Sequence, residues 1–122
     1  MFREVSSMLV TLDKKIEEFI ERYIDSFTEW DLLVFFEKHP EVKDIPGNIA
    51  AHIGRREWEV EKNLNDLADK GILTVERDVP PLYAYNPSLE ARNLIKRFVK
   101  ALNVRGERLA ILAMLLNKGI KE

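Results

Sequence analysis

Leu12, Ile16, Phe19, Ile20, Tyr23, Ile24 and Phe27 recur at helical spacing, which predicts an amphipathic helix over residues 12–26 with Thr11 as its N-cap. Lys14, Lys15, Glu17, Glu18, Glu21 and Arg22 form its outer face. A second helix is expected from Thr28, with that hydroxyl as cap and Asp31 at the third helical position. Trp30, Leu33, Val34 and one of Phe35 and Phe36 supply its apolar side, and His39-Pro40 ends it, because the residue before a proline avoids helical angles. Beyond a polar connector, Asp44 can cap and Pro46 can open a short helix whose Ile45, Ile49, Ala50 and Ile53 face inward. Gly54 supplies a turn. The next helix runs from about Arg56 to Lys70, with Val60, Leu64, Leu67 and Ala68 on one face and Gly71 just past its end.

Ile72 to Arg77 reads as a strand, Pro80-Pro81 as a turn and Leu82 to Tyr85 as the returning strand. Pro87 and Ser88 introduce a last helix that buries Ala91, Leu94, Ile95, Phe98 and Leu102, is interrupted at Gly106, and resumes with Leu109, Leu112, Ala113 and Leu116. Residues 109–116 are apolar on nearly every side. A helix of that kind needs cover all round, which predicts dimerisation; folding back over its own chain is the alternative. The expected fold class is therefore mostly α with a small two-stranded β wing. It is a winged helix-turn-helix at residues 28–86, an N-terminal helical extension at 1–27 and a C-terminal dimerisation helix at 87–122.

Three stretches carry a resemblance: Ile49-Ala50-Ala51-His52-Ile53-Gly54, then Val60, Leu64 and Leu67, then Lys70-Gly71-Ile72-Leu73 ahead of the wing. With them the chain resembles the MarR/ArsR-type transcriptional regulators over about residues 28–86. The resemblance implies a homodimer bound to an operator in double-stranded DNA, with the helix after Gly54 in the major groove. By position, Arg55, Arg56, Trp58, Glu59, Lys62 and Asn65 approach DNA, with Arg77 on the wing. Paired guanidinium donors suit guanine edges or phosphates, and Lys62 suits a phosphate. Flanking helices that wrap such modules as dimers put Ile16, Phe19, Phe98, Leu102, Leu109, Leu112 and Leu116 at the subunit interface. The resemblance also allows a small-molecule effector in a crevice between the module and the dimer helices.

Charge complicates this picture. Residues 87–122 carry eight Lys/Arg against three Asp/Glu, and residues 1–86 carry eleven against eighteen. The reading helix itself holds Glu57, Glu59, Glu61, Asp66 and Asp69. Affinity for duplex DNA comes largely from neutralised phosphates, so such a helix starts without that term unless a dimer and the basic tail restore it. A second function stays open: an interaction module whose acidic helix, centred on Trp58, binds protein rather than DNA. Trp58 could equally stack on DNA sugar or pack inside a dimer. The stripe Arg92, Lys96 and Lys100, with Arg97, Arg105 and Arg108 nearby, could track phosphates, face the acidic N-terminal helix, or be solvated.

The remaining features narrow the class. At 122 residues and 46% apolar, the chain suits one modest core. It has no cysteine, so neither a disulfide framework nor a Cys-based zinc site is available. The stretch MFREVSSMLVTLDKK lacks the apolar core and cleavage site of a secretory signal, so a cytoplasmic protein is expected. The longest apolar run, Leu109 to Leu116, falls far short of the roughly 20 residues that span a bilayer, and no membrane partner is expected. Glu37, His39 and Glu41 sit in no recognised ligand spacing and His52 lies beside core positions, so neither metal nor cofactor is expected. No nucleophile with a base, phosphate-cradling glycine loop or carboxylate pocket is apparent, and the chain is not expected to be an enzyme.

Overall fold

The computed structural model describes residues 12–120, which form six helices and one small sheet. In chain order these are α1 (Lys14–Tyr23), α2 (Phe27–Lys38), β1 (Lys43–Asp44), α3 (Pro46–Ile53), α4 (Glu57–Asp69), β2 (Leu73–Glu76), β3 (Leu82–Tyr85), α5 (Leu89–Ala101) and α6 (Arg105–Asn117). The expected cap Thr11 lies outside the described residues; Asp13 caps α1, its carboxylate accepting from the Lys15 N–H. Ser26 caps α2 in place of Thr28. The Thr28 side chain is instead buried and donates to Glu59 Oε1 at 3.1 Å.

The sheet has three strands rather than two. β3 lies between β1 and β2, antiparallel to both, with Lys43 opposite Ala84 and Val75 opposite Tyr83. A two-residue strand shows no alternation of apolar and polar positions, so the polar connector concealed β1. Lys43 and Glu76, on the two outer strands, pair at 2.5 Å across β3. Asp44 holds the entry to α3, accepting from the Ile45 N–H and from Asn48 Nδ2, both at 2.8 Å.

α2 is the central helix. Leu32, Leu33, Phe35 and Phe36 are all buried on it, so it is covered on two sides, by α3 and α4 on one and by α5 on another. Phe98 of α5 meets Phe19 of α1 and the edge of Trp30 at centroid distances of 5.7 and 5.9 Å. The flanking helices thus share one apolar core with the winged module. Burial of this kind is the main favourable term in folding.

The last helical stretch breaks at residues 102–104, before Gly106, and α6 turns back onto the chain. Ile111 and Leu115 are its buried residues, not the expected stripe of Leu109, Leu112, Ala113 and Leu116. Its end is anchored by Lys118, whose ammonium donates to the carbonyls of Ile20, Glu21 and Ile24 at 3.0, 2.7 and 2.7 Å. These carbonyls lie at the end of α1, where a cation meets the negative end of the helix dipole; that of Ile20 also accepts from the Ile24 N–H at 3.1 Å.

Gly54 (φ 75°) makes the turn between α3 and α4, and Gly71 (φ 82°) closes α4, where the Ile72 N–H reaches back to the Leu67 carbonyl at 3.0 Å. A Cβ at Gly54 would meet no atom within 4 Å. Gly54→Ala should therefore cost only the left-handed strain, about 1–2 kcal/mol in urea unfolding. A larger loss would mean that the turn is crowded in solution.

Candidate nucleic-acid interface

α4 presents three faces. Val60, Leu64 and Leu67 point into the core. A second, polar stripe of Arg55, Glu59, Asn63, Asp66 and Lys70 faces the start of α2. Along it, Arg55 Nε donates to Asp31 Oδ2 at 2.7 Å and its Nη1 to Glu59 Oε1 at 3.0 Å. Ser26 Oγ donates to Asn63 Oδ1 and Asn63 Nδ2 to the Glu59 carbonyl, both at 2.7 Å. Burial opposes the Arg55 charge, but Asp31 and Glu59 outweigh it and hold the guanidinium above its ordinary value.

At the far end of the stripe, Lys70 Nζ contacts the Tyr23 carbonyl at 2.8 Å, Asp25 at 2.7 Å, Asp66 at 2.9 Å and Glu29 at 3.2 Å. The carboxylates of Asp25, Glu29 and Asp66 come within 4.8 Å of one another, which is ligand spacing for a cation. The Lys70 ammonium supplies that positive charge. Glu29 is fully buried, and its carboxyl is pushed up to about 8, first by desolvation and then by its hydrogen bond with Asp66. That same bond from Glu29 holds Asp66 below the usual carboxylate range.

The third face is exposed. It carries Trp58, which is 58% exposed, and Lys62, while Arg56 is exposed at the N-cap of the helix. Glu57 and Asp69 are exposed at its two ends. Of the five acids on the helix, Glu59 and Asp66 are thus turned into internal ion pairs. Of the residues expected to approach DNA, the structure puts Trp58 and Lys62 on this open face and leaves Arg56 exposed at the cap, and it engages Arg55, Glu59 and Asn65 inside the protein. Asn65 Oδ1 accepts the hydroxyl of the buried Tyr83 on β3. Arg77 is exposed on the wing, and its charge and hydrogen bond favour ionisation of that hydroxyl while the Glu61 charge opposes it. Burial, the largest influence, and the Glu61 charge keep Tyr83 above its ordinary value.

The residues assigned to a subunit interface divide in two. Ile16, Phe19, Phe98 and Leu102 lie in the core of the chain itself. Leu109 and Leu116 are exposed on α6 and Leu112 is half-buried. Glu37, weighed above as a metal ligand, accepts from the Tyr85 hydroxyl at 3.1 Å and pairs with Arg92 at 3.5 Å. His39 and His52 pack on Phe35, their own rings 5.3 Å apart. A groove of about 600 Å³ opens between α1 and α5, lined by Phe19, Tyr23 and Leu94 with Glu18, Arg22 and Arg97. It lies between two flanking helices, not between them and the winged module.

No protein-family model and no curated protein matches the chain. Among solved structures it is similar to the transcriptional regulator Tm0710 from Thermotoga maritima, with a TM-score of 0.50 and 14% identity over 99% of this chain and 95% of that one. At that identity the likeness concerns the fold, a mostly helical winged helix-turn-helix with a small antiparallel sheet. No helix among the described residues is long and apolar enough to cross a membrane.

Proposed function

We propose that the chain is a sequence-specific, DNA-binding transcriptional regulator that acts as a homodimer through its winged helix. The observation that carries this reading is the sorting of charge on α4. Glu59 and Asp66 are neutralised within the protein by Arg55 and Lys70, while Trp58 and Lys62 remain on the open face with Arg56 exposed at the helix N-cap. In a helix-turn-helix that face enters the major groove. Arg56 offers paired donors to a guanine edge or a phosphate, Lys62 a charge to a phosphate, and Arg77 on the wing a third cation to the backbone. The fold likeness to a transcriptional regulator points the same way.

The test is binding of the pure protein to a pool of random duplexes at low and moderate salt. Affinity should fall steeply as salt rises, and a subset of sequences should survive selection. Arg56→Ala should lower the log–log salt slope by about 0.9, as expected for one lost phosphate contact, or relax sequence preference if it reads a base. A protein that ignores duplex DNA even at low salt overturns the reading.

One observation favours a second reading, a protein-binding module. Trp58 borders a hollow that Asp25, Glu59, Asp66 and Asp69 also line, against a single cation in its wall, Lys62. Binding anchored on an exposed tryptophan should weaken little with salt, so the same titration separates the two.

A further inference from the structure

Arg55 stands just ahead of the cap of α4, and its side chain is turned onto Asp31 of α2 and Glu59 of α4. We infer that Arg55 is a positioning residue: with Asp31 and Glu59 it fixes the angle at which the reading helix leaves the turn, and makes no contact with DNA itself. This rests on the DNA-binding reading above.

α4 has no side-chain cap at its N-terminus, where Arg56 holds the cap position. The entry angle of its first turn must then be set by other contacts. Arg55 supplies them. Its N–H bonds the Ala50 carbonyl of α3 at 3.1 Å, its Nε reaches Asp31 of α2 at 2.7 Å, and its Nη1 reaches Glu59 one turn further along α4 at 3.0 Å. The backbone of residue 55 is thus tied to α3, and its planar guanidinium joins α2 to α4 through two separate donors, a geometry that a flexible lysine ammonium could not reproduce. Glu59 Oε1 also accepts from Thr28 Oγ1 at 3.1 Å, and that threonine is fully buried. The carboxylate end of the clamp is thus fastened to α2 as well.

Charge argues against a second role on DNA. One guanidinium faces two carboxylates, so the three groups together are negative. A phosphate drawn to Arg55 would have to break charge-assisted bonds and then sit beside Asp31 and Glu59. A cation already neutralised within the protein releases no counterions from DNA, and so should be silent in the salt dependence.

The experiment uses the full chain and a duplex selected by the wild type, with specific and non-specific affinity measured across salt for Arg55→Gln, Arg55→Lys, Asp31→Asn and Arg56→Ala. Unfolding curves confirm that each variant is folded at the assay temperature. Arg55→Gln and Asp31→Asn should each lower the ratio of specific to non-specific affinity by roughly tenfold, about the discrimination one misplaced base contact carries, with the salt slope unchanged. Arg55→Lys should not rescue. Three results overturn the inference alone: a slope reduced by about 0.9 in Arg55→Gln, rescue by Arg55→Lys, or tighter binding by Asp31→Asn as a freed Arg55 reaches phosphate. No binding by the wild type at low salt overturns the DNA reading itself, and this inference with it.

Discussion

Lys70→Met should destabilise the protein by about 3 kcal/mol, because it removes the cation that reaches all three converging carboxylates, only one of which Lys118 also meets, and takes the lysine donor from the Tyr23 carbonyl. The pH dependence of that cluster is the more specific expectation. A buried carboxyl whose value is raised in the folded state binds its proton more tightly there than in the unfolded chain. Its contribution to stability is complete below the unfolded value, near 4.5 for Glu29, and is lost as pH rises through about 8. Wild-type stability should therefore fall between pH 5 and 8, by at most about 1.4 kcal/mol per pH unit.

Asp66 works in the opposite sense. Its value is lowered, so its contribution is present above the ordinary aspartate range and lost in acid, below the window where Glu29 titrates. Lys70 is held above its ordinary value, since its carboxylate partners outweigh the burial that would lower it, and its contribution is lost only in strong alkali. Between pH 5 and 8 the slope belongs to Glu29. Glu29→Gln keeps the shape and can donate to Asp66 while its oxygen accepts from the Asp25 N–H, where Glu29 now accepts at 2.7 Å. It should match the wild type near pH 5, exceed it near pH 8, and flatten the profile of urea midpoints between. A flat wild-type profile with Glu29→Gln destabilised throughout would mean that Glu29 is ionised in the fold and paired with Lys70.

This cluster also shows where sequence reasoning stops. The order of elements was legible because punctuation and periodicity agree: Pro46 opens α3, Gly54 turns it, Gly71 closes α4, and Val60, Leu64 and Leu67 set the inward face between them. The pairs Arg55–Glu59 and Asp66–Lys70 stand four apart, a spacing that brings side chains together on a helix, so half of the charge sorting could have been read in advance. The other half could not. Asp31, Glu29 and Asp25 are twenty-four to forty-five positions away from their cations, and only the packing of α2 against α4 brings them there. Without them, five acids on one helix look like a surface hostile to DNA.

The subunit interface was hard to read for a different reason. Apolar periodicity reports that a face is covered, and says nothing about whether the cover comes from the same chain. Ile16, Phe19, Phe98 and Leu102 find theirs within the chain, in contact between α1, α2 and α5. On α6, apolar residues occur all round the helix, so no stripe stands out as the inner one. The packing selects Ile111 and Leu115 and leaves Leu109 and Leu116 outside.

Those two leucines give the largest functional effect expected. Leu109, Leu112 and Leu116 are spaced three and four apart, the seam by which one helix packs along another, and Leu109 and Leu116 remain 54% and 58% exposed. The proposed homodimer needs a contact surface, and on α6 the residues assigned to it that the chain does not cover are these. Leu109→Glu with Leu116→Glu should leave the stability of the single chain within about 0.5 kcal/mol per site, since neither side chain is in its core. The same pair should convert a dimer into a monomer by sedimentation or light scattering. Operator affinity should then fall by about 10²–10⁴, because the second half-site would no longer be engaged at high effective concentration. Affinity for a single half-site should be unchanged, since α4 is untouched. A double variant that stays dimeric places the interface elsewhere, and a wild type that is monomeric at assay concentration removes the homodimer from the mechanism.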